Sequence, residues 1–262
     1  MAAPLLQPVH LGFNPTRQDV RVAELILMGL RLRAMPGHLP PELALSILAH
    51  ADYQPRTMSC RVEELEYHAN DFWEPGPRAS VAALYLTTQT LPPYFRRASR
   101  ITLQMRSADQ GWATFGGDGT YENSHTWFEV CILRPLPSAT ASAPPGVQQP
   151  LEVQMSQTFR SPGDANQELE QQGWRIVNHD GRDTWMVHHN ITASEDWENY
   201  RVDWLADTPT DIEDPRAVGD GEGFLSALMP GDKIALWASA EQQAWMIRVA
   251  EAVVEIVYEV WI

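Results

Sequence analysis

Polar and apolar residues alternate most strictly at two places in this chain. Ile101, Leu103 and Met105 fall on one side of a two-residue repeat, and Thr102, Gln104 and Arg106 fall on the other. Near the C-terminus, Ala252, Val254, Ile256, Tyr258 and Val260 share one side, with Glu251, Glu255 and Glu259 opposite. Successive side chains of a strand point to opposite faces, so both segments predict half-buried β-strands. A weaker version of the same signal recurs from about Val81 onward. Candidate strands are 81–91, 101–106, 126–133, 151–159, 174–178, 184–191, 200–205, 232–240 and 245–262. Nine short strands with turn residues between them predict a mainly β fold, an antiparallel two-sheet jelly-roll-like sandwich.

The first quarter of the chain has a different period. Asn14-Pro15-Thr16 reads as a helix start, and 18–33 is rich in helix formers, up to a break at Met35-Pro36-Gly37. Leu39-Pro40-Pro41-Glu42-Leu43 opens a second helix, with Pro in the first turn and Leu43, Ile47 and Leu48 turned inward, ending near Tyr53-Gln54-Pro55. A third helical patch is expected over Arg61 to Ala69. The segment from Phe72 to Pro77 then reads as a hinge. The expected organisation is therefore an N-terminal arm and small helical segment over 1–77, followed by an antiparallel β-sandwich over 78–262. Two long connections stand out, a Pro/Ala/Ser-rich one from Arg134 to Pro150 and an acidic one from Asp207 to Gly223.

Charge narrows the partners. The formal net charge is −15 over 262 residues. Residues 1–150 hold 13 acidic side chains against 12 arginines, and the remainder holds 21 acidic against 7 basic. Such a surface repels phosphate, so neither nucleic acid nor an anionic membrane is expected as a partner. No run approaches 18 apolar residues and the first ten residues do not read as a secretion signal, which predicts a cytoplasmic protein. Cys60 and Cys131 are expected as two separate thiols in that compartment, where the Asn190-Ile191-Thr192 sequon would lie idle. Lys233 is the single lysine. A Schiff-base mechanism would have to use it, and its turn-like Pro-Gly-Asp-Lys setting does not favour one.

Candidate chemistry gathers between the two strands of 101–133, an apolar frame around a polar, Gly-rich tip. Arg106, Asp109, Trp112, Tyr121 and Glu129 offer a guanidinium, carboxylates and aromatic faces able to hold a polar ring. The plainer reading of the same residues is an Arg106–Asp109 pair tying a long loop, with Trp112 as its apolar plug. His188 and His189 are adjacent on a strand and cannot share one metal or one substrate, so at most one faces a pocket, next to Asn190. No metal site is expected, because no carboxylate–histidine spacing recurs. Most of the ten tryptophans are expected as core filler, with a few, such as Trp127 and Trp237, left to line a pocket. There is no nucleophile elbow and no phosphate loop. Gly116-Gly117-Asp118-Gly119 reads as a hairpin tip.

Several phrases of the chain resemble known families. Leu39-Pro40-Pro41-Glu42-Leu43 with Ile47-Leu48 is similar to the opening of an F-box helix, over 39–53 only. The run from Met105 to Trp112, then Gly119-Thr120-Tyr121, Thr126-Trp127-Phe128-Glu129, Phe224-Leu225 and Pro230 to Ala238, resembles a poorly characterised family of filamentous-fungal proteins. That family includes the hetero-Diels–Alderases of tropolone-sesquiterpenoid biosynthesis. The resemblance implies a cofactor-independent secondary-metabolite enzyme that binds an apolar, terpenoid- or polyketide-like small molecule and catalyses a cycloaddition. It carries over no catalytic residue. From the residues themselves, Arg106, Tyr121 and His188 are the candidate catalytic donors, and Asp109, Trp112, Trp127, Glu129, Asn190 and Trp237 the candidate substrate-binding set. No cofactor is implied, and a homodimer is compatible with the sequence. The other reading is a non-catalytic binding module, a lectin-like sandwich or an F-box-like adaptor. An enclosed apolar cavity beneath the Trp112 turn would favour the enzyme. An exposed aromatic platform would favour the lectin, and an exposed apolar face on Leu43, Ile47 and Leu48 the adaptor.

Overall fold

Among the residues described by the computed structural model (Leu6, 13–29, 39–72, 79–137 and 150–261), nine strands form two antiparallel sheets. They are β1 (Arg56–His68), β2 (Ser80–Thr87), β3 (Phe95–Ala108), β4 (Thr126–Pro135), β5 (Trp174–Ile176), β6 (Trp185–His189), β7 (Glu198–Leu205), β8 (Lys233–Glu241) and β9 (Met246–Val260). The first sheet has the order β1-β9-β3-β7. The second has the order β2-β8-β4-β5, with β6 also paired to β4. The early strands thus pair with the late ones in reverse order, like one long hairpin, and successive pairs alternate between sheets. A ribbon folded in this way is a jelly roll of two Greek keys.

The alternation seen in the sequence sets the register. Leu103 sits opposite Val254 on one side and Val202 on the other, and Ile101 lies between Ile256 and Trp204. These side chains meet Phe128, Val130 and Ile132 of β4 and Leu236 of β8 in one core, where the members from β3 and β4 are fully buried. Unlike a half-exposed strand, β9 is covered on both faces: Glu251 and Glu255 are buried as well, and Glu251 Oε2 accepts a hydrogen bond from the Leu6 N–H at 3.1 Å.

Among the described residues, five short α-helices decorate the sandwich: α1 (Arg17–Leu27), α2 (Pro41–His50), α3 (Leu151–Gln154), α4 (Asn166–Gln171) and α5 (Phe224–Ala227). The Thr16 hydroxyl accepts from Asp19 N, and the Asp19 carboxylate accepts from Thr16 N, which satisfies two otherwise orphaned donors at the start of α1. On the outside of the second sheet, Leu84, Cys131, Leu133, Ala235 and Trp237 form a second apolar layer roofed by Leu151, Met155 and Leu169. Among the described residues no helix is long and apolar enough to cross a membrane.

Two expected elements change type. The stretch expected as helical over Arg61 to Ala69 is strand up to its last residue: Arg61–His68 belongs to β1, paired with β9 through a bulge between Val62 and Leu65, and Ala69 opens a short 3-10 turn. Its Glu-rich stretch has helical propensity, but pairing with a buried strand overrides it. The same charges then guard the sheet edge against further pairing. Because β1 is part of the first sheet, the sandwich draws on residues N-terminal to 78. The expected strand over 151–159 is instead the helix α3, and only Phe159 makes a bridge, to Ala82. The first helix ends at Leu27; the Met35-Pro36-Gly37 break and 73–77 of the hinge lie outside the described residues.

Candidate functional site

The nine residues singled out from sequence do not converge on one cleft. Asp109 and Asn190 lie at one end of the sandwich in a sealed polar network, both fully buried. Asp109 Oδ2 accepts from the Ala193 N–H at 2.8 Å and Oδ1 from the Thr126 hydroxyl at 3.4 Å. Asn190 Nδ2 donates to the Thr126 hydroxyl at 3.0 Å, while its Oδ1 accepts from Ser107. This network staples the long β3–β4 loop to the β6–β7 loop. Burial pushes the Asp109 carboxyl up to about 6, against the hydrogen bonds that favour its charged form. The buried Asn190 also closes the sequon to glycosylation, whatever the compartment. Arg106 does not pair with Asp109 among the described residues; it lies 5.7 Å over the Trp197 ring, beside Arg248 at 5.2 Å. Trp112 is no plug either, since it is 47% exposed, next to Phe115 at 71%.

Tyr121 and His188 do meet. Their rings are edge to face at 5.5 Å, and Tyr200 packs on the other side of His188 at 4.4 Å. His188 Nδ1 donates to the His189 carbonyl, which leaves Nε2 as the acceptor, and burial lowers its pKa. His189 points away, onto Trp127, and burial lowers it to about 4. The two histidines therefore stay neutral and face apart, as a two-residue repeat demands.

The third group lies on the outer face of the second sheet. Glu129 accepts from the Ser239 hydroxyl at 2.9 Å and from Trp127 Nε1 at 3.2 Å, and burial raises its pKa. Trp237 is fully enclosed in the second apolar layer, with Nε1 donating to Cys131 Sγ at 3.2 Å. These residues are satisfied by their neighbours, as structural groups are.

Among the described residues, clefts open elsewhere, and the following three are lined by none of those nine residues. One of about 380 Å³ runs between α2 and the first sheet. One of about 830 Å³ lies along the acidic 205–223 loop. The third, also about 830 Å³, lies between β1, the end of β2, α3 and the start of β8. It places the chain's single lysine against an aromatic wall.

That lysine is Lys233, the first residue of β8. Its Nζ sits 4.8 Å from the centre of the Trp174 ring of β5. No carboxylate lies within ion-pairing distance of it among the described residues. Burial lowers its pKa, opposed by the more distant Glu152. Glu152, on α3, is itself buried and turned to β2, where Oε2 accepts from the amide of Thr87 at 3.1 Å and from its hydroxyl. The free, exposed thiol of Cys60 lines the β1 side. The cleft thus holds a desolvated amine over a flat apolar surface, with a hydrogen-bonded carboxylate and a thiol nearby. Such a set can orient a planar ligand and act on its carbonyl.

No single stretch of the sequence marks this cleft, because its walls come from residues 58 to 233, on five elements. The one local signal was the uniqueness of Lys233. Its turn-like neighbours hid the fact that β8 begins there, against the roof formed by α3. Among the described residues no three His, Cys, Asp or Glu side chains are grouped as metal ligands. No protein-family model matches this chain, and no curated protein matches it.

Proposed function

We propose that this protein is a cofactor-independent enzyme of fungal secondary metabolism. It holds an apolar small molecule in the Lys233 cleft and promotes a hetero-Diels–Alder type cycloaddition in the cytoplasm. The observation that carries this reading is Lys233 Nζ poised 4.8 Å from the Trp174 ring in a cleft of about 830 Å³. A cycloaddition needs no attacking nucleophile; it needs two reactants held in register and a donor that draws electron density from a carbonyl. The indole face aligns a conjugated partner, and the Lys233 ammonium supplies the donor. Placement of two reactants in a near-attack pose is worth roughly 7 kcal/mol in good cases. The two free cysteines agree with a reducing compartment.

Incubation with a reactive quinone methide and a polyene terpene, followed by chiral chromatography, tests the reading. Wild-type protein should raise rate and stereoselectivity above buffer, and Lys233→Met should lose about tenfold or more of that rate, as expected when one transition-state donor is removed. Racemic product at the buffer rate would end the proposal.

A non-catalytic module is the second reading, and two observations favour it. Trp112 and Phe115 are exposed on a loop whose backbone is tied down, as a sugar-stacking platform requires. Leu43 and Ile47 are exposed on α2, although Leu48 is buried. A glycan array with Trp112→Ala as control, and a pull-down with Skp1, separate these two forms from the enzyme.

A further inference from the structure

We propose that Lys233 is a nucleophilic amine that forms a reversible imine with a conjugated aldehyde or ketone lying against Trp174. The inference rests on the reading that this cleft is the ligand site, and it names the ligand's chemistry. Lysines are ordinarily solvated or paired. This one is half-buried at the foot of a cleft, its Nζ faces an indole, and no carboxylate neutralises it among the described residues. The titratable groups that share the cleft are Glu152 from α3 and Cys60 from β1. The Glu152 carboxylate is engaged by the amide and hydroxyl of Thr87, which turns it toward β2. The indole face and Glu152 favour the ammonium; burial opposes it and prevails, so free amine is available nearer neutrality than for an exposed lysine.

Geometry selects the carbonyl partner. A carbon bonded to Nζ is carried over or beside the Trp174 ring, so its substituent must lie flat along the indole. A planar, conjugated chain meets that condition better than a bulky branched one. In the step itself the amine lone pair forms the C–N bond, and both amine protons leave with the carbonyl oxygen as water. Addition of water reverses it. No oxidant, reductant or metal enters the balance.

The probe is cinnamaldehyde with sodium cyanoborohydride, applied to full-length protein in a Cys60→Ser background, which removes the exposed thiol of the cleft and leaves only the buried Cys131. Because the chain has one lysine, the only competing amine is the N-terminus. The expected product is a single reductive adduct, carrying the aldehyde less its oxygen, mapped to Lys233 by peptide mass. It should form severalfold faster than on free Nα-acetyl-lysine at the same pH and be lost in Lys233→Arg. Adduct confined to the N-terminus, or Lys233 labelling no faster than the free amino acid, would overturn the imine. Cinnamyl alcohol, which has no carbonyl, tests the cleft independently through hydrogen-exchange protection of 151–154 and 172–174. Protection without a Lys233 adduct leaves the cleft reading standing and removes the imine; absence of both removes the two together. Retention of full cycloaddition activity by Lys233→Arg would also overturn the imine while keeping the role of the cation.

Discussion

Asp109 shows how a single side chain can make stability depend on pH. Its carboxyl is fully buried and titrates near 6 rather than 3.8, because burial penalises the charged form more than its donors favour it. The folded state therefore holds this proton more tightly than the unfolded chain does. The stability it contributes is complete below about pH 4 and is lost as pH rises through about 6. That shift corresponds to about 3 kcal/mol. Asp109→Asn keeps an acceptor for Ala193 and has no proton to lose. Urea denaturation at pH 4.5 and 7 should show a smaller pH difference for the variant than for wild type. An undiminished difference would assign the effect to other groups. The residue's importance was legible in the sequence, at the head of the polar tip; its role was not, since its shortest hydrogen bond comes from the Ala193 amide, 84 residues away.

Between elements, a buried ion pair ties the end of one strand to the start of another. Arg134 near the end of β4 donates through Nε and Nη2 to both oxygens of Asp232, just before β8, at 2.9 and 2.8 Å. Asp232 is fully buried and also accepts from the Met229 N–H. Arg134→Met would strand that carboxylate in the interior, at a cost of roughly 3 kcal/mol or more. Arg134→Met with Asp232→Asn should recover part of it, and thermal melts of the two variants check the order. Element type was readable wherever alternation was strict, as on β3 and β9. It failed at Arg61–Ala69 and Leu151–Phe159. In the first, partner β9 decided the conformation; in the second, a short apolar stretch became a helical roof because the outer face of the second sheet needed covering.

At the scale of the whole molecule, the roof formed by α3 and α4 couples packing to the cleft. Trp237 fills the space beneath Leu151 and Met155, and Glu152 between them lines the cleft. Trp237→Ala should cost about 3–5 kcal/mol through lost burial and the cavity left behind. It should also speed amide exchange across 151–155 while leaving the β3–β9 pairing protected. Equal acceleration in both places would mean that the two apolar layers do not act as separate units. Among the described residues the region between the sheets is packed with aromatic and aliphatic side chains, and the Lys233 cleft forms where α3 stands off the outer face.

Periodicity alone determined that this chain is a mainly β, two-layer jelly-roll-like sandwich with helices at its start. A two-residue repeat has one way to hide its apolar side, and that constraint is local. Strand order, the second apolar layer and the position of Lys233 over Trp174 were decided only by the tertiary structure. Each depends on pairing between segments far apart in sequence, and no short stretch of residues encodes which distant partner it will meet.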